Sequence, residues 1–128
     1  GSADWSGIAA VKAAVSVPVL ANGGIFGPED VAACLDATGA DGVMCGETLL
    51  ENPGIFQGGR VGERQVSYAR EFLELQHTHP GDLRGVKQHL FSLLYAHVQV
   101  HTDLRERLHK AKTLVDMAAG GGEGDRPA

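Results

Sequence analysis

Cysteine is scarce in this chain. Cys34 and Cys45 are the only two among 128 residues, and no CxxC pattern occurs. No secretory signal or membrane-length apolar run is present either. A reducing, intracellular setting follows, cytoplasmic or nuclear, with no disulfide expected. An initiator Met is also missing: the chain opens Gly1-Ser2-Ala3-Asp4-Trp5, as a fragment or a cloning scar would. Basic residues are nearly absent from the first half. Residues 1–61 carry Lys12 and Arg60 against seven acids, and the whole chain has a formal net charge of -5. That balance taken alone argues against nucleic acid, but the distribution argues differently. Arg84, Lys87, Arg105, Arg107, Lys110 and Lys112 lie in residues 84–112 with only Asp103 and Glu106 opposing them, and His89, His97, His101 and His109 join them. An acidic first half precedes a basic second half.

What is present in the first half is alternation. Trp5 to Val15 has apolar residues at helical spacing, with Asp4 placed as its N-cap. Val17-Pro18-Val19-Leu20-Ala21 follows, a short uncharged run that reads as a parallel strand buried on both faces, with Pro18 at its opening. Pro28-Glu29-Asp30 opens the next helix, with acids near its positive end, and Gly39 closes it. Asp41 to Cys45 is a second such strand. Helix–strand alternation with short connections means a parallel sheet with right-handed crossovers.

Each strand ends in glycine. Asn22-Gly23-Gly24 follows the first and Gly46-Glu47 the second. Glycine lets bare backbone approach a ligand. The amides of the first loop, with the helix N-terminus at Pro28, read as an anion nest, or else as a tight strand-to-helix turn. In a (β/α)8 barrel the loops after the last two strands form the usual phosphate site, but a complete barrel needs roughly 250 residues. The expected fold is therefore α/β: the C-terminal part of a (β/α)8 TIM barrel, over residues 1–57. Cys45 sits at a strand tip with no His or cation beside it in sequence, and reads as a small buried filler rather than a catalytic thiol; Cys34 reads as core.

Past the short helical turn of residues 46–50 and the linker Gln57–Gly62, the pattern turns helical. Helices are expected over Glu63–His77, over a long stretch Leu83–Leu108, and over His109–Ala119. Residues 62–119 make a small all-α helical domain, and residues 120–128, Gly-rich and polar, a disordered tail. His97 and His101 share a helix face with His89 earlier, but no third ligand or HExxH pattern accompanies them, so no metal is expected. The basic residues of this domain read either as a nucleic-acid backbone surface or as an ordinary solvated face.

The strings Val17-Pro18-Val19-Leu20-Ala21-Asn22-Gly23-Gly24-Ile25, Gly39-Ala40-Asp41-Gly42-Val43-Met44 and Asn52-Pro53-Gly54-Ile55-Phe56 resemble the C-terminal part of tRNA-dihydrouridine synthases. Arg84-Gly85-Val86-Lys87-Gln88-His89-Leu90-Phe91 and Lys110-Ala111-Lys112-Thr113-Leu114 look most like the eukaryotic type acting at positions 16 and 17 of tRNA. The glycine strings alone are shared by many phosphate-binding barrels; the Asn-Pro-x-Ile-Phe segment before a helical domain is more discriminating.

The resemblance implies an oxidoreductase that reduces the C5–C6 double bond of uridine in tRNA, with FMN as cofactor and NADPH as reductant. It implies that Asn22, Gly23 and Gly24 hold the FMN phosphate after strand seven, and Gly46 and Glu47 after strand eight. Many members have Arg where this chain has Glu47, which leaves the main chain to make that contact. It also implies a helical domain cupping tRNA, through Arg84, Lys87, His89, Arg105, Lys110 and Lys112. The parent enzyme is expected to be monomeric and free of membrane. The family's catalytic Cys lies upstream and matches nothing here, so no catalytic residue is assigned and the chain alone is expected to be inert. Two other readings stay open: a barrel flavin dehydrogenase of a small molecule, and a non-catalytic RNA-binding helical module.

Overall fold

The computed structural model describes residues 3–121; Gly1-Ser2, and residues 122–128 of the tail expected to be disordered, lie outside the described residues. The described chain divides into two compact units, one running to Leu49 and including Pro53–Arg60, the other formed by Leu50–Asn52 and the residues from Val61 onward.

In the first unit, α1 (Trp5–Ala14), β1 (Leu20–Asn22), α2 (Pro28–Thr38), β2 (Gly42–Met44) and the start of α3 (Glu47–Glu51) follow one another, with a 3-10 turn at Ile55–Gln57. Asp4 caps α1, its carboxylate accepting from the amides of Ser6 and Gly7 at 3.0 and 3.3 Å. Pro28 occupies the first turn of α2, where its missing N–H costs nothing, and Gly39 ends that helix in the left-handed region at φ 65°. The strands pair in parallel, Leu20 opposite Gly42, Ala21 opposite Val43 and Asn22 opposite Met44. Ala21 is fully buried in a core with Ile25, Cys34, Cys45 and Ile55, against which Trp5, Ile8, Val31 and Val43 pack.

Two expectations need correction here. The strands are shorter than their apolar runs, because the amide of Val19 donates to the carboxylate of Asp41 at 2.7 Å instead of entering the ladder. Nor are they buried on both faces. Alternate residues point to opposite faces: Ala21 faces the helices, whereas Leu20 is 58 % and Met44 49 % exposed on the other side. Helices cover one face of the pair, and the described residues supply nothing to cover the other.

The second unit is helical: α4 (Gln65–Thr78), α5 (Leu83–Leu93), α6 (Tyr95–Val100), α7 (Thr102–Lys110) and α8 (Leu114–Gly121). Its core gathers Ala69, Leu73, Val86, Leu90, Leu94, Val98, Leu108, Ala111 and Met117. The stretch Leu83–Leu108, expected as one helix, is three. A straight helix would separate residues 87 and 109 by about 33 Å, yet the ammonium of Lys87 donates to the carbonyl of His109 at 2.9 Å. The chain bends at Leu94 and His101, both outside helical geometry, and this returns Leu108 to the core that holds Leu90. The expected third helix, His109–Ala119, likewise loses its start to α7 and begins at Leu114. There the carboxylate of Asp116 caps the turn, accepting from the amides of Lys112 and Thr113 at 3.1 Å each. No described helix is long and apolar enough to cross a membrane.

Candidate phosphate cleft and basic helical groove

Parallel pairing puts the C-terminal ends of β1 and β2 side by side, so the loops that follow them meet. They line a cleft of about 440 Å³ that contains Asn22, Gly23, Gly24, Gly46 and Glu47, together with Ile25, Cys45 and Thr48. All five residues singled out in sequence for a phosphate therefore converge on one cleft. The hydroxyl of Thr48 donates to the carbonyl of Ile25 at 2.6 Å and ties one loop to the other.

The first loop is shaped by glycine. Gly23 and Gly24 have φ of 104° and 75°, values that L side chains adopt only under strain. Space forbids a side chain as well: a Cβ on Gly24 would lie 2.9 Å from the indole nitrogen of Trp5, and one on Gly23 2.8 Å from the Cβ of Ala3. The Trp5 indole N–H donates to the carbonyl of Gly23 at 3.2 Å, fixing the loop from α1. Trp5 and Thr48 are site residues that sequence reasoning missed. Each acts on the loop through a contact between segments distant in sequence, for which periodicity carries no signal.

One part of the anion reading changes. The N-terminus of α2 was expected to face the anion. The amides of Phe26 and Gly27 both donate to the carboxylate of Asp30, at 2.9 Å each, and Pro28 has no N–H to offer. That end is already occupied by the protein's own carboxylate. An anion in the cleft would meet the glycine backbones, and no lysine or arginine lines it. Glu47 lies exposed at the cleft as the first residue of α3. Cys45 reaches the cleft from the core, 9 % exposed. Burial pushes its thiol up from the ordinary value, which disfavours the thiolate. Cys34 is fully buried.

The basic residues of the second unit are only partly brought together. Arg105 and Lys110 share a groove of about 670 Å³ with His109, Phe91 and Tyr95. Lys87 joins its edge through the bond to the His109 carbonyl. His89 does not line the groove; half-buried, it packs its ring against Phe72, centroids 4.5 Å apart. Arg84 and Lys112 are exposed and line neither the groove nor the cleft. Among the described residues no group of three or more His, Cys, Asp or Glu side chains converges as metal ligands. A cavity of about 260 Å³, bounded by Leu73, Leu90, Leu94, Leu114 and Met117, is lined by none of the candidate phosphate- or RNA-binding residues.

The model of the dihydrouridine synthase family matches residues 1–121. The chain belongs to the dihydrouridine synthase family. A Mus musculus protein described as tRNA-dihydrouridine(16/17) synthase (NAD(P)(+))-like is 44 % identical over 119 residues, covering 93 % of this chain and 25 % of the mouse protein. The Schizosaccharomyces pombe tRNA-dihydrouridine(16/17) synthase is 31 % identical over 132 residues, 91 % of this chain and 32 % of the yeast protein. A Vibrio cholerae tRNA-dihydrouridine synthase B is 51 % identical over 57 residues, 44 % of this chain and 18 % of the bacterial one. The chain thus spans about a quarter of the mouse relative's length.

Proposed function

We propose that this chain is the C-terminal segment of a flavin-dependent tRNA-dihydrouridine synthase, an oxidoreductase reducing the C5–C6 double bond of uridine in tRNA with NADPH. In this reading the first unit is the last two βα units of a TIM barrel and the second a helical tRNA-binding domain. The observation that carries it is the convergence of the two glycine-tipped strand ends on one backbone-lined cleft, in a chain of this family. The cleft suits the phosphate of FMN in two respects. At Gly23 and Gly24 the loop has no room for a Cβ, and with no lysine or arginine in the lining the backbone amides are the donors the cleft offers an anion. Asn22, Gly23, Gly24, Gly46 and Glu47 would hold the phosphate, the last by its backbone. When bound, the flavin supplies the hydride for the uracil ring.

The uncovered faces of Leu20 and Met44 support the barrel, since further strands would bury them. Arg84, Lys87, Arg105, Lys110 and Lys112 are the backbone-contacting cations of this reading, and the parent is a monomeric, cytoplasmic enzyme. The test is direct. The full-length protein carrying this segment should retain flavin and convert uridine to dihydrouridine in tRNA with NADPH. The 128-residue chain alone should do neither. Dihydrouridine formed by the short chain would place the chemistry in the wrong part of the protein.

A further inference from the structure

We propose that the groove between α6 and α7 is a subsite for one unpaired nucleotide, with Tyr95 as the stacking platform for its base and Arg105 and Lys110 as the clamp on its phosphodiester. This rests on the tRNA reading above and adds to it where, and in what form, the RNA is gripped.

Tyr95 opens α6. Phe91, one turn earlier, packs against the helical core, but Tyr95 does not, and it remains 55 % exposed within the groove. Its ring stands outside the helical core cluster. Arg105 and Lys110, both exposed, stand on α7 in the same groove. A ring with cations beside it is the arrangement that takes a base by its π-face and the adjoining phosphate by charge. The groove is also built to hold its shape: Lys87 on α5 bonds to the carbonyl of His109 at 2.9 Å and pins the end of α7.

The groove's about 670 Å³ admits a nucleotide but not a duplex. Base faces in an RNA duplex are covered by their stacked neighbours, whereas a splayed base can enter the recess and offer its face to Tyr95. Glu106 also lines the groove and pairs with Lys110 at 3.5 Å, with both side chains about three-quarters exposed. Such a pair is weak enough for a phosphate to replace the carboxylate.

The experiment is a salt-titrated binding series on the full-length protein, with tRNA, oligouridylate and a duplex RNA of equal length as probes. Tyr95→Ala should weaken tRNA and oligouridylate binding about tenfold without changing the salt slope. Tyr95→Phe should bind as the parent does. Arg105→Gln and Lys110→Gln should each reduce the salt slope by about one, and Glu106→Gln should tighten binding. Unchanged affinity in Tyr95→Ala, or duplex RNA competing as well as oligouridylate, would overturn the subsite. Should Tyr95→Ala fail to fold, ultraviolet crosslinking of oligouridylate to the unsubstituted protein decides: label on the peptide bearing Tyr95 supports the proposal, and label only elsewhere overturns it. The two readings fail differently. An unsubstituted protein without salt-sensitive tRNA affinity sinks both. Binding that is lost in Arg84→Gln and Lys112→Gln but intact in the groove variants sinks the subsite alone.

Discussion

At the scale of single residues the site depends on what cannot be there. Gly24 has no room for a Cβ and a φ of 75°, so Gly24→Ala meets both the strain of a positive φ and the indole of Trp5. The substitution should cost about 1–3 kcal/mol of stability and loosen flavin retention in the full-length protein. Denaturant midpoints and flavin fluorescence after gel filtration would show both; an unchanged midpoint would mean the loop relaxes around the new methyl. The glycine pair was legible in sequence because a positive φ is a local demand. The indole over it was not, because Trp5 and Gly23 meet only after α1 folds back over the loop. The occupied start of α2 was half legible: an acid in a first turn is a familiar sign, but only the geometry shows Asp30 accepting from both amides.

Asp41 gives a pH dependence at the same scale. Its carboxylate accepts from Lys12 and from the amide of Val19, at 2.7 Å each, and the Lys12 contact is the main cause holding its pKa below the ordinary 3.8. A carboxylate with a depressed folded pKa stabilises above its unfolded value, and that contribution is lost as pH falls through the folded one. Stability should therefore hold at neutral pH and decline below about 3.8. Asp41→Asn should lower neutral stability and flatten part of the acid decline, read as urea midpoints against pH at constant ionic strength. Some decline should remain, because Asp4, hydrogen-bonded to Ser6 and Gly7, is depressed in the same direction. An acid limb identical in the two proteins would show that the contact does not persist in solution.

At the scale of elements, the helical unit shows where periodicity stops being informative. Residues 83–108 contain no proline, and their only glycine is Gly85, so nothing local announces a break. The breaks at Leu94 and His101 are imposed by the core. Only a bent path lets Leu90, Leu94, Val98 and Leu108 share one cluster. The first unit was read more accurately, because Asp4, Pro28 and Gly39 are boundary residues whose effect is local. The bent path makes Leu90 a keystone. It is 1 % exposed, and Leu90→Ala should cost about 2–5 kcal/mol. Thermal melts followed by far-ultraviolet circular dichroism should show the helical signal lost at lower temperature in one step. Loss confined to a minor fraction of the signal would mean that α5 is not tied to the remaining helices as its contacts require.

At the scale of the whole chain, the two-stranded sheet sets the behaviour. A lone pair of strands is marginal in water, and among the described residues both strands are edges. Leu20 at 58 %, Met44 at 49 %, Val17 at 60 % and Phe26 at 71 % exposure add apolar surface to those edges. The 128-residue chain expressed alone should therefore aggregate or bind hydrophobic dyes. Replacing Leu20 and Met44 with Thr turns this into a two-way test, because the pair lies on one face of the sheet. If that face is open, the replacements should raise solubility and reduce dye binding in the short chain. If the face is covered by further barrel strands in the full-length protein, the same replacements should destabilise it, by roughly 1–3 kcal/mol for each buried apolar side chain lost. Opposite signs in the two proteins are what a severed barrel requires. A soluble short chain with a cooperative melt, and a full-length protein indifferent to both replacements, would mean that this face never meets another strand.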